Sequence, residues 1–212
     1  METPPYISEL RVVGGRVAVD FVNTQDGPAD AEPTFECLQS YGDLVAWALH
    51  VGLLGRKDSG ALLRNARDHP RRARAMHNRA LETRDSLYEV LHATAHGTRA
   101  RAVHLERVRE AERDALSHGR LEASSEGGFT WQWADREDLG RVLWPVIHDA
   151  ATLLTSPELE RLKACAACRW LFVDNSRNKQ RRWCTMEVCG THEKMRRYIA
   201  RRAAGRTSPA VP

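Results

Sequence analysis

Four cysteines toward the end of the chain decide the most specific structural prediction. The stretch begins Cys165-Ala166-Ala167-Cys168, continues through a connector of fifteen residues and closes with Cys184-Thr185-Met186-Glu187-Val188-Cys189. Two close pairs joined by such a connector are typical of a four-cysteine zinc site, because each pair can occupy two corners of one tetrahedron. The spacing therefore predicts one zinc ion on Cys165, Cys168, Cys184 and Cys189.

Two other uses of these cysteines compete with zinc. Two disulfides would need an oxidising compartment. The opening residues Met1-Glu2-Thr3-Pro4-Pro5 carry an acid where a signal peptide needs a base, so we expect a cytoplasmic protein with reduced thiols. A thioredoxin-like redox pair is disfavoured because no suitable strand precedes the first pair. Four thiolates leave no open ligand position, which indicates a structural zinc.

Composition excludes several classes of protein. The 212 residues are 42% hydrophobic and 28% charged, which is typical of a soluble globular chain and not of a disordered or collagen-like one. The mean hydropathy is -0.52. No run of about eighteen apolar residues is present, so the sequence predicts no transmembrane helix and no membrane partner.

Charge is distributed unevenly along the chain. Residues 163–206 contain 12 basic and 3 acidic side chains, a balance of +9, whereas the whole chain carries +4 and the remainder therefore -5. Such asymmetry favours two modules, an acidic larger one and a basic tail. We predict a mainly helical domain over 1–155, a linker helix and zinc module over 156–206, and a frayed tail over 207–212.

Hydrophobic periodicity predicts an α+β fold that is mostly helical, with small β-hairpins. Two short strands are expected around the Gly14-Gly15 turn, between Val12 and Val22, and a hairpin between Arg120 and Trp133. Phe129, Trp131 and Trp133 share one hairpin face and are expected to pack in the core. The predicted helices are the segments from Ser40 to Gly55, Ser59 to Asp68, Pro70 to Gly97, Ala102 to Leu116, Leu139 to Leu154 and Thr155 to Cys165.

The zinc module is expected to contain a knuckle, a hairpin and a helix. Residues 169–173 alternate as a strand would, residues 174–176 have turn chemistry, and residues 181–184 can return as the partner strand. Thr191 can cap a helix over 192–202. This order resembles the treble-clef arrangement of zinc modules.

Basic residues of the hairpin and the helix form a candidate nucleic-acid surface. A charge stripe on one helix is often only a solvated face, but two adjacent elements agree here. The helix N-terminus also favours anions. The candidate contacts are Arg177, Lys179, Arg181, Arg182, Lys194, Arg197 and Arg201.

Three further groups of residues have some features of a ligand, metal or catalytic site. Asp20, Asn23 and Thr24 lie at the end of a predicted strand and form a candidate ligand pocket, although Asn23 and Thr24 can equally satisfy loop backbone groups. His92 and His96 have helical spacing, but no further ligand is indicated, so exposed polar side chains are favoured over a metal site. Cys37 has no marker of activation, and we predict no catalytic residue.

The zinc module resembles the bacterial CGNR zinc finger over residues 165–174, 175–179 and 182–190. Upstream, three segments resemble the ABATE domain that usually precedes this finger. They are Val19-Asp20-Phe21-Val22-Asn23-Thr24, the helix from Asp43-Leu44-Val45-Ala46-Trp47 to Gly52-Leu53-Leu54, and Arg84-Asp85-Ser86-Leu87-Tyr88. Together they cover most of the chain.

The resemblance implies a zinc ion on the four cysteines and a stress-induced transcription regulator. One departure is clear, because the Cys-Gly-Asn-Arg of the finger is Cys189-Gly190-Thr191-His192 here. His192 replaces a permanent charge with one that titrates near neutrality, which puts a phosphate contact at this position in doubt. With four thiolates available, His192 is disfavoured as a zinc ligand.

Three functions are compatible with these sequence features. The leading hypothesis is a DNA-binding regulator whose larger domain senses a small-molecule effector or forms a homodimer. The alternative is a zinc-stapled module that binds protein or RNA without contacting duplex DNA. An enzyme in the larger domain would need a deep pocket with converging polar groups, and we expect none.

Overall fold

The computed structural model describes residues 4–29, 31–133 and 137–206. The expectations for residues 1–3 and for the tail 207–212 lie outside them. Within the described residues, helices alternate with short antiparallel hairpins, as predicted for the fold class. No helix among them combines the length and apolar character needed to cross a bilayer.

The elements follow one another in a simple order. The helices are α1 (Pro5–Ser8), α2 (Val17–Val22), α3 (Tyr41–His50), α4 (Arg56–Asp68), α5 (Pro70–Ala95), α6 (Ala102–His118), α7 (Leu143–Leu154) and α8 (Thr191–Arg206). The strands are β1 (Gln25–Asp26), β2 (Phe35–Glu36), β3 (Gly119–Ala123), β4 (Phe129–Trp133), β5 (Leu162–Ala164) and β6 (Leu171–Val173). They pair as three hairpins, β1–β2, β3–β4 and β5–β6. Short 3₁₀ turns cover Leu139–Val142 and Pro157–Arg161, and a π-turn covers Met186–Gly190.

The core lies between α2, α3, α5 and α7. Phe21 and Trp47 are fully buried, and their ring centroids are 5.2 Å apart. Leu171 and Val173 of β6 belong to the same apolar cluster. The strands that carry the first cysteine pair are therefore part of the main core.

The prediction of two strands around Gly14-Gly15 is wrong, because residues Val17–Val22 form helix α2. The Asp20 carboxylate accepts hydrogen bonds from the backbone N–H groups of Val13 (2.9 Å) and Gly14 (2.7 Å), which folds the turn back onto the helix. Residues 18–22 are all buried. In a segment that is buried on every side, the order of apolar residues does not distinguish a helix from a strand. The alternation of Val17, Val19 and Phe21 therefore pointed to the wrong structure.

The predicted helix start at Ser40 is confirmed. Its hydroxyl oxygen accepts a hydrogen bond from the Asp43 N–H at 3.2 Å, and α3 begins at Tyr41. The helix ends at His50, before Gly52, whose φ of 77° is favourable only for glycine. Gly55 instead precedes α4, which begins at Arg56, three residues earlier than predicted.

The predicted linker helix from Thr155 to Cys165 is wrong. A single 3₁₀ turn over Pro157–Arg161 passes directly into β5. The pairing partner of β6 is also not the segment 181–184, which is irregular. β5 takes that place, with Leu162 opposite Val173 and Ala164 opposite Leu171. The first cysteine pair forms the reversal between the two strands, so it needs no helix before it.

The predicted hairpin β3–β4 is confirmed, but its aromatic residues do not pack in the core. Phe129 is 73% exposed and Trp131 37% exposed. The rings of Trp131 and Trp133 stack with centroids 5.9 Å apart, and both contact His148 of α7. Only the base of the hairpin is therefore held against the helices.

One asparagine attaches β6 to α2. The Asn23 side-chain oxygen accepts from the Leu171 N–H, and its amide nitrogen donates to the Leu171 carbonyl, both at 2.9 Å. The Asn23 side chain thus makes the two backbone hydrogen bonds to Leu171 that a neighbouring strand would otherwise make. The Val173 N–H donates to the Gly14 carbonyl at 2.8 Å and extends the attachment.

We expect Asn23→Ala to lower the free energy of unfolding by about 3 kcal/mol, because it leaves a buried N–H and a buried C=O of Leu171 without partners. Urea denaturation measures the change. Asn178→Ala, at an exposed position, is the control and should stay within about 0.5 kcal/mol of the original chain. Equal stabilities for the two variants would contradict the attachment.

Asp20 should make stability depend on pH. Burial raises its pKa to about 6, even though the Gly14 and Val13 N–H groups oppose the shift. A raised pKa favours the folded state at low pH, so this contribution is lost as pH rises through 6. Relative to Asp20→Asn, the original chain should lose about 1.4 kcal/mol between about pH 5 and 7.5. Urea denaturation of both proteins measures this, and parallel pH profiles would contradict it.

Candidate metal centre and basic surface

Cys165 and Cys168 occupy the tip of the β5–β6 hairpin. The Cys165 N–H donates to the Trp170 carbonyl at 2.9 Å, which closes the reversal. On its outer side the tip contacts the loop after β1, where the Arg169 N–H donates to the Gly27 carbonyl at 3.1 Å. The indole N–H of Trp170 donates to the Gln25 carbonyl at 2.9 Å. The first cysteine pair is thus fixed from both sides.

The second cysteine pair, Cys184 and Cys189, is positioned by an irregular segment and a π-turn. The Ala166 N–H donates to the Arg182 carbonyl at 3.0 Å, which brings Cys184 next to the hairpin tip. The Thr185 hydroxyl caps the π-turn by accepting from the Val188 N–H at 3.3 Å. A Cβ on Gly190 would lie 2.5 Å from Met186 Sδ, so a larger residue there would displace the flexible Met186 side chain. The turn places Cys189 Sγ 3.5 Å from Cys184 Sγ.

The four sulfurs form one cluster. All lie within 4.8 Å of one another, with Cys184 Sγ at 3.6 Å from Cys168 Sγ and 3.5 Å from Cys189 Sγ. A tetrahedron of Zn–S bonds of about 2.3 Å places its sulfurs about 3.8 Å apart. The four side chains fit one zinc ion, and as a set they leave no position for a reacting water.

A buried carboxylate organises the loop between the two cysteine pairs. Asp174 is fully buried and accepts from Lys163 Nζ at 2.7 Å, from the Arg181 N–H at 2.9 Å and from the Ser176 N–H at 3.0 Å. Burial alone would raise its pKa, but these donors, Lys163 foremost, lower the pKa well below its usual range. Asp174 therefore remains charged and holds the loop in one conformation.

Arg181, one of the candidate nucleic-acid contacts, has its guanidinium inside the module. Its guanidinium lies 4.3 Å from the Phe172 ring centroid and donates to the carbonyls of Trp183 and Cys184. Arg177, Lys179 and Arg182 are exposed. Three of the four predicted loop contacts are thus accessible to a partner.

From Thr191 to Arg202 every residue of helix α8 except Glu193 is exposed. Lys194, Arg197 and Arg201 line one shallow depression on its surface. Glu193 forms ion pairs with Arg196 at 2.7 Å and Arg197 at 2.8 Å. The helix follows the π-turn without a break, so Cys189 fixes where it starts. Thr191 does not cap it as predicted, because its hydroxyl donates to the Met186 carbonyl at 3.0 Å.

His192 lies outside the cysteine cluster. It is exposed and lines a cleft of about 240 Å³ together with Arg11, Trp170 and Val188. The cysteines are the single group of three or more metal-competent side chains found in the part of the chain that the structure describes. The rings of His92 and His96, at the C-terminal end of α5, are tilted by 41° with centroids 4.2 Å apart, and neither residue belongs to such a group.

The candidate ligand residues Asp20, Asn23 and Thr24 have internal roles. All three are buried, and Asp20 and Asn23 bond the backbone as described above. The Thr24 hydroxyl donates to the Phe21 carbonyl at 2.7 Å and accepts from Arg84 at 3.2 Å. The side chains of Asn23 and Thr24 therefore satisfy backbone groups, which is the alternative to a ligand pocket named above.

Sequence reasoning missed Arg84 as a structural centre. Its side chain is 1% exposed and forms two 2.7 Å bonds to the Glu36 carboxylate and one of 2.9 Å to Asp85. This ties α5 to β2 and, through Thr24, to the end of α2. In the sequence, Arg84 stands out only as part of the segment that resembles the ABATE domain. No local pattern distinguishes it from the exposed arginines of α5.

Comparison with known proteins yields two family matches. The model of the ABATE family, described as a putative stress-induced transcription regulator, matches residues 15–157. The model of the CGNR zinc finger matches residues 161–202, the segment that contains all four clustered cysteines. No curated protein matches the chain.

We expect Cys184→Ser to abolish stoichiometric zinc binding, because it removes one of four thiolates from the cluster. Zinc content measured by elemental mass spectrometry should fall from one ion per chain to a small fraction of it. Cys37→Ala is the control, since Cys37 lies outside the cluster and burial raises the pKa of its thiol to about 11. Retention of full zinc content by Cys184→Ser would contradict the assignment.

Proposed function

The chain belongs to the ABATE family and carries a CGNR zinc finger, and on that premise we propose that it is a bacterial DNA-binding transcription regulator of the cytoplasm. The zinc ion would serve as a staple that orients a basic surface. The duplex would be contacted by that surface, and the larger domain would sense an effector or form a dimer.

One observation carries the proposal: six of the seven predicted contacts are exposed cations of the same module. They are Arg177, Lys179, Arg182, Lys194, Arg197 and Arg201. The first three lie between the cysteine pairs, and the others lie on the helix that starts beside Cys189. Because the cysteine cluster fixes both segments, zinc binding would organise them together.

The acids of the module offset this surface only in part. Asp174 is fully buried and paired with Lys163, which is not among the six contacts, whereas Glu193 is paired with Arg196 and with Arg197, one of the six. Glu187 is the remaining acid between residues 163 and 206, and it is exposed. An excess of accessible positive charge supports binding to a phosphate backbone.

A cavity of the larger domain supports an effector-binding role. It measures about 550 Å³ and lies between α4, α5 and the 3₁₀ turn Leu139–Val142, with Asn65, His69, Arg72 and Arg79 among its lining residues. Its lining also contains the acids Glu137 and Asp138 and the apolar residues Met76 and Leu139, which suits a small molecule with both polar and apolar groups. We further propose that the protein is not an enzyme, and the four-thiolate donor set supports a structural zinc.

DNA binding should depend steeply on salt. Contacts from six cations to phosphates predict a slope of log affinity against log salt of about -5. Replacing Lys194, Arg197 and Arg201 together by Ala should reduce the magnitude of that slope by about 2.7. Fluorescence anisotropy with labelled duplex and full-length protein over a salt series measures both.

The matched control removes three exposed arginines of the larger domain that lie outside the cavity lining, Arg67, Arg71 and Arg74, and thus the same charge. We expect this control to keep the original slope, since these residues lie outside the zinc module. Equal losses in the two variants would point to a general charge effect, and absence of duplex binding by the original chain would refute the proposal.

A second candidate function rests on the other side of α8. Met195, Tyr198 and Ile199 are 55%, 49% and 60% exposed, which is unusual for apolar residues that share one helix side. Such a side favours a protein partner, and an RNA partner would use the same cations. Binding to single-stranded RNA in place of duplex DNA, in the same anisotropy assay, would favour the zinc-stapled interaction module.

A further inference from the structure

The outer edge of strand β3 is uncovered. Residues 120–123 are exposed, and among the described residues β3 pairs only with β4. An unpaired edge offers a row of free N–H and C=O groups to another strand, and proteins normally protect such edges. A two-stranded hairpin is also only marginally stable by itself.

The ladder shows which residues face that edge. The Ser124 N–H donates to the Gly128 carbonyl at 3.0 Å, and the register pairs Ala123 with Phe129 and Leu121 with Trp131. Because hydrogen-bonded and non-hydrogen-bonded pairs alternate in antiparallel strands, the backbone groups of Gly119, Leu121 and Ala123 point away from β4. These three residues can each donate to and accept from a further strand.

The opposite edge of the hairpin is less available. The carbonyl of Trp133 accepts a hydrogen bond from the Arg141 guanidinium at 2.7 Å. The same alternation makes this carbonyl one of the outward-facing groups of β4. Strand addition is therefore favoured at β3.

The charges of β3 select its partner. In an antiparallel pair of two β3 strands centred on Leu121, Arg120 of each chain lies opposite Glu122 of the other. Both side chains are exposed, and neither forms an ion pair with any described residue. The two positions form non-hydrogen-bonded pairs, in which opposing side chains are closest. A second copy of the same strand thus provides complementary charge on both sides of the two-fold axis.

Apolar side chains favour the same arrangement. Leu121 is 57% exposed and lies on the hairpin face that carries Phe129 and Trp131. In the paired arrangement the two Leu121 side chains would meet at the axis and join the two aromatic faces into one. A sheet of four strands would then cover apolar surface that the single hairpin leaves in water.

We propose that the protein forms a homodimer by antiparallel pairing of β3 with β3 of a second copy, centred on Leu121. The proposal rests on the dimer role proposed above for the larger domain and names its interface; because it needs neither DNA nor an effector, its failure would leave the DNA-binding proposal untouched. It predicts a continuous four-stranded sheet in the order β4, β3, β3, β4.

Charge reversal with full-length, zinc-loaded protein tests this arrangement. Sedimentation equilibrium should give the original chain a mass of about twice 23.9 kDa. Glu122→Arg and Arg120→Glu should each weaken dimerisation at least about tenfold, because each places like charges opposite one another. The double variant Arg120→Glu with Glu122→Arg should restore the dimer.

Mixing the two single variants gives a sharper result. A chain with two acids at these positions fits a chain with two bases, so the mixture should form heterodimers although neither variant dimerises well alone. Glu126→Arg, which makes the same charge change in the exposed turn, is the matched control and should dimerise normally. A monomeric original chain at about 100 μM, or single variants that dimerise unchanged, would overturn the proposal.

Discussion

The pair of hydrogen bonds between the Asn23 side chain and the Leu171 backbone is the interaction on which the remaining structure depends. It fixes β6 against α2, and β6 carries β5 and the first cysteine pair with it. From there the backbone bond from Ala166 to Arg182 brings in Cys184, and the π-turn brings in Cys189. The metal centre is thus assembled on a hairpin that the larger domain already holds.

Two buried charges of this assembly, Arg84 and Asp174, are paired with charges of opposite sign. Arg84 is buried beside Glu36 and Asp85, and Asp174 is buried beside Lys163 and two backbone donors. Removing one partner of a buried pair is costly because the other charge is left in a poorly solvating environment. These two groups therefore specify geometry, one around α2 and α5 and the other in the loop between the cysteine pairs.

Some features could be predicted from local sequence because their physical cause is local. The Ser40 cap, the turn of the β3–β4 hairpin and the cysteine spacing each involve residues a few positions apart. Helix α2 could not be predicted in this way, since its burial comes from elements far away in the chain. The pairing of β5 with β6 was missed for a related reason: residues 162–164 follow a Pro-Glu sequence typical of a helix start, and only the cysteine reversal shows that they meet residues 171–173.

The shared core also bears on how such chains can be recombined. Many zinc fingers behave as cassettes that can be moved between proteins, since their metal supplies most of their folding free energy. Here Leu171 and Val173 lie within the apolar cluster of the preceding domain, and the Trp170 indole donates a hydrogen bond to strand β1. Grafting residues 161–202 onto another protein would expose those side chains, so this finger can be exchanged only together with the surface that receives it.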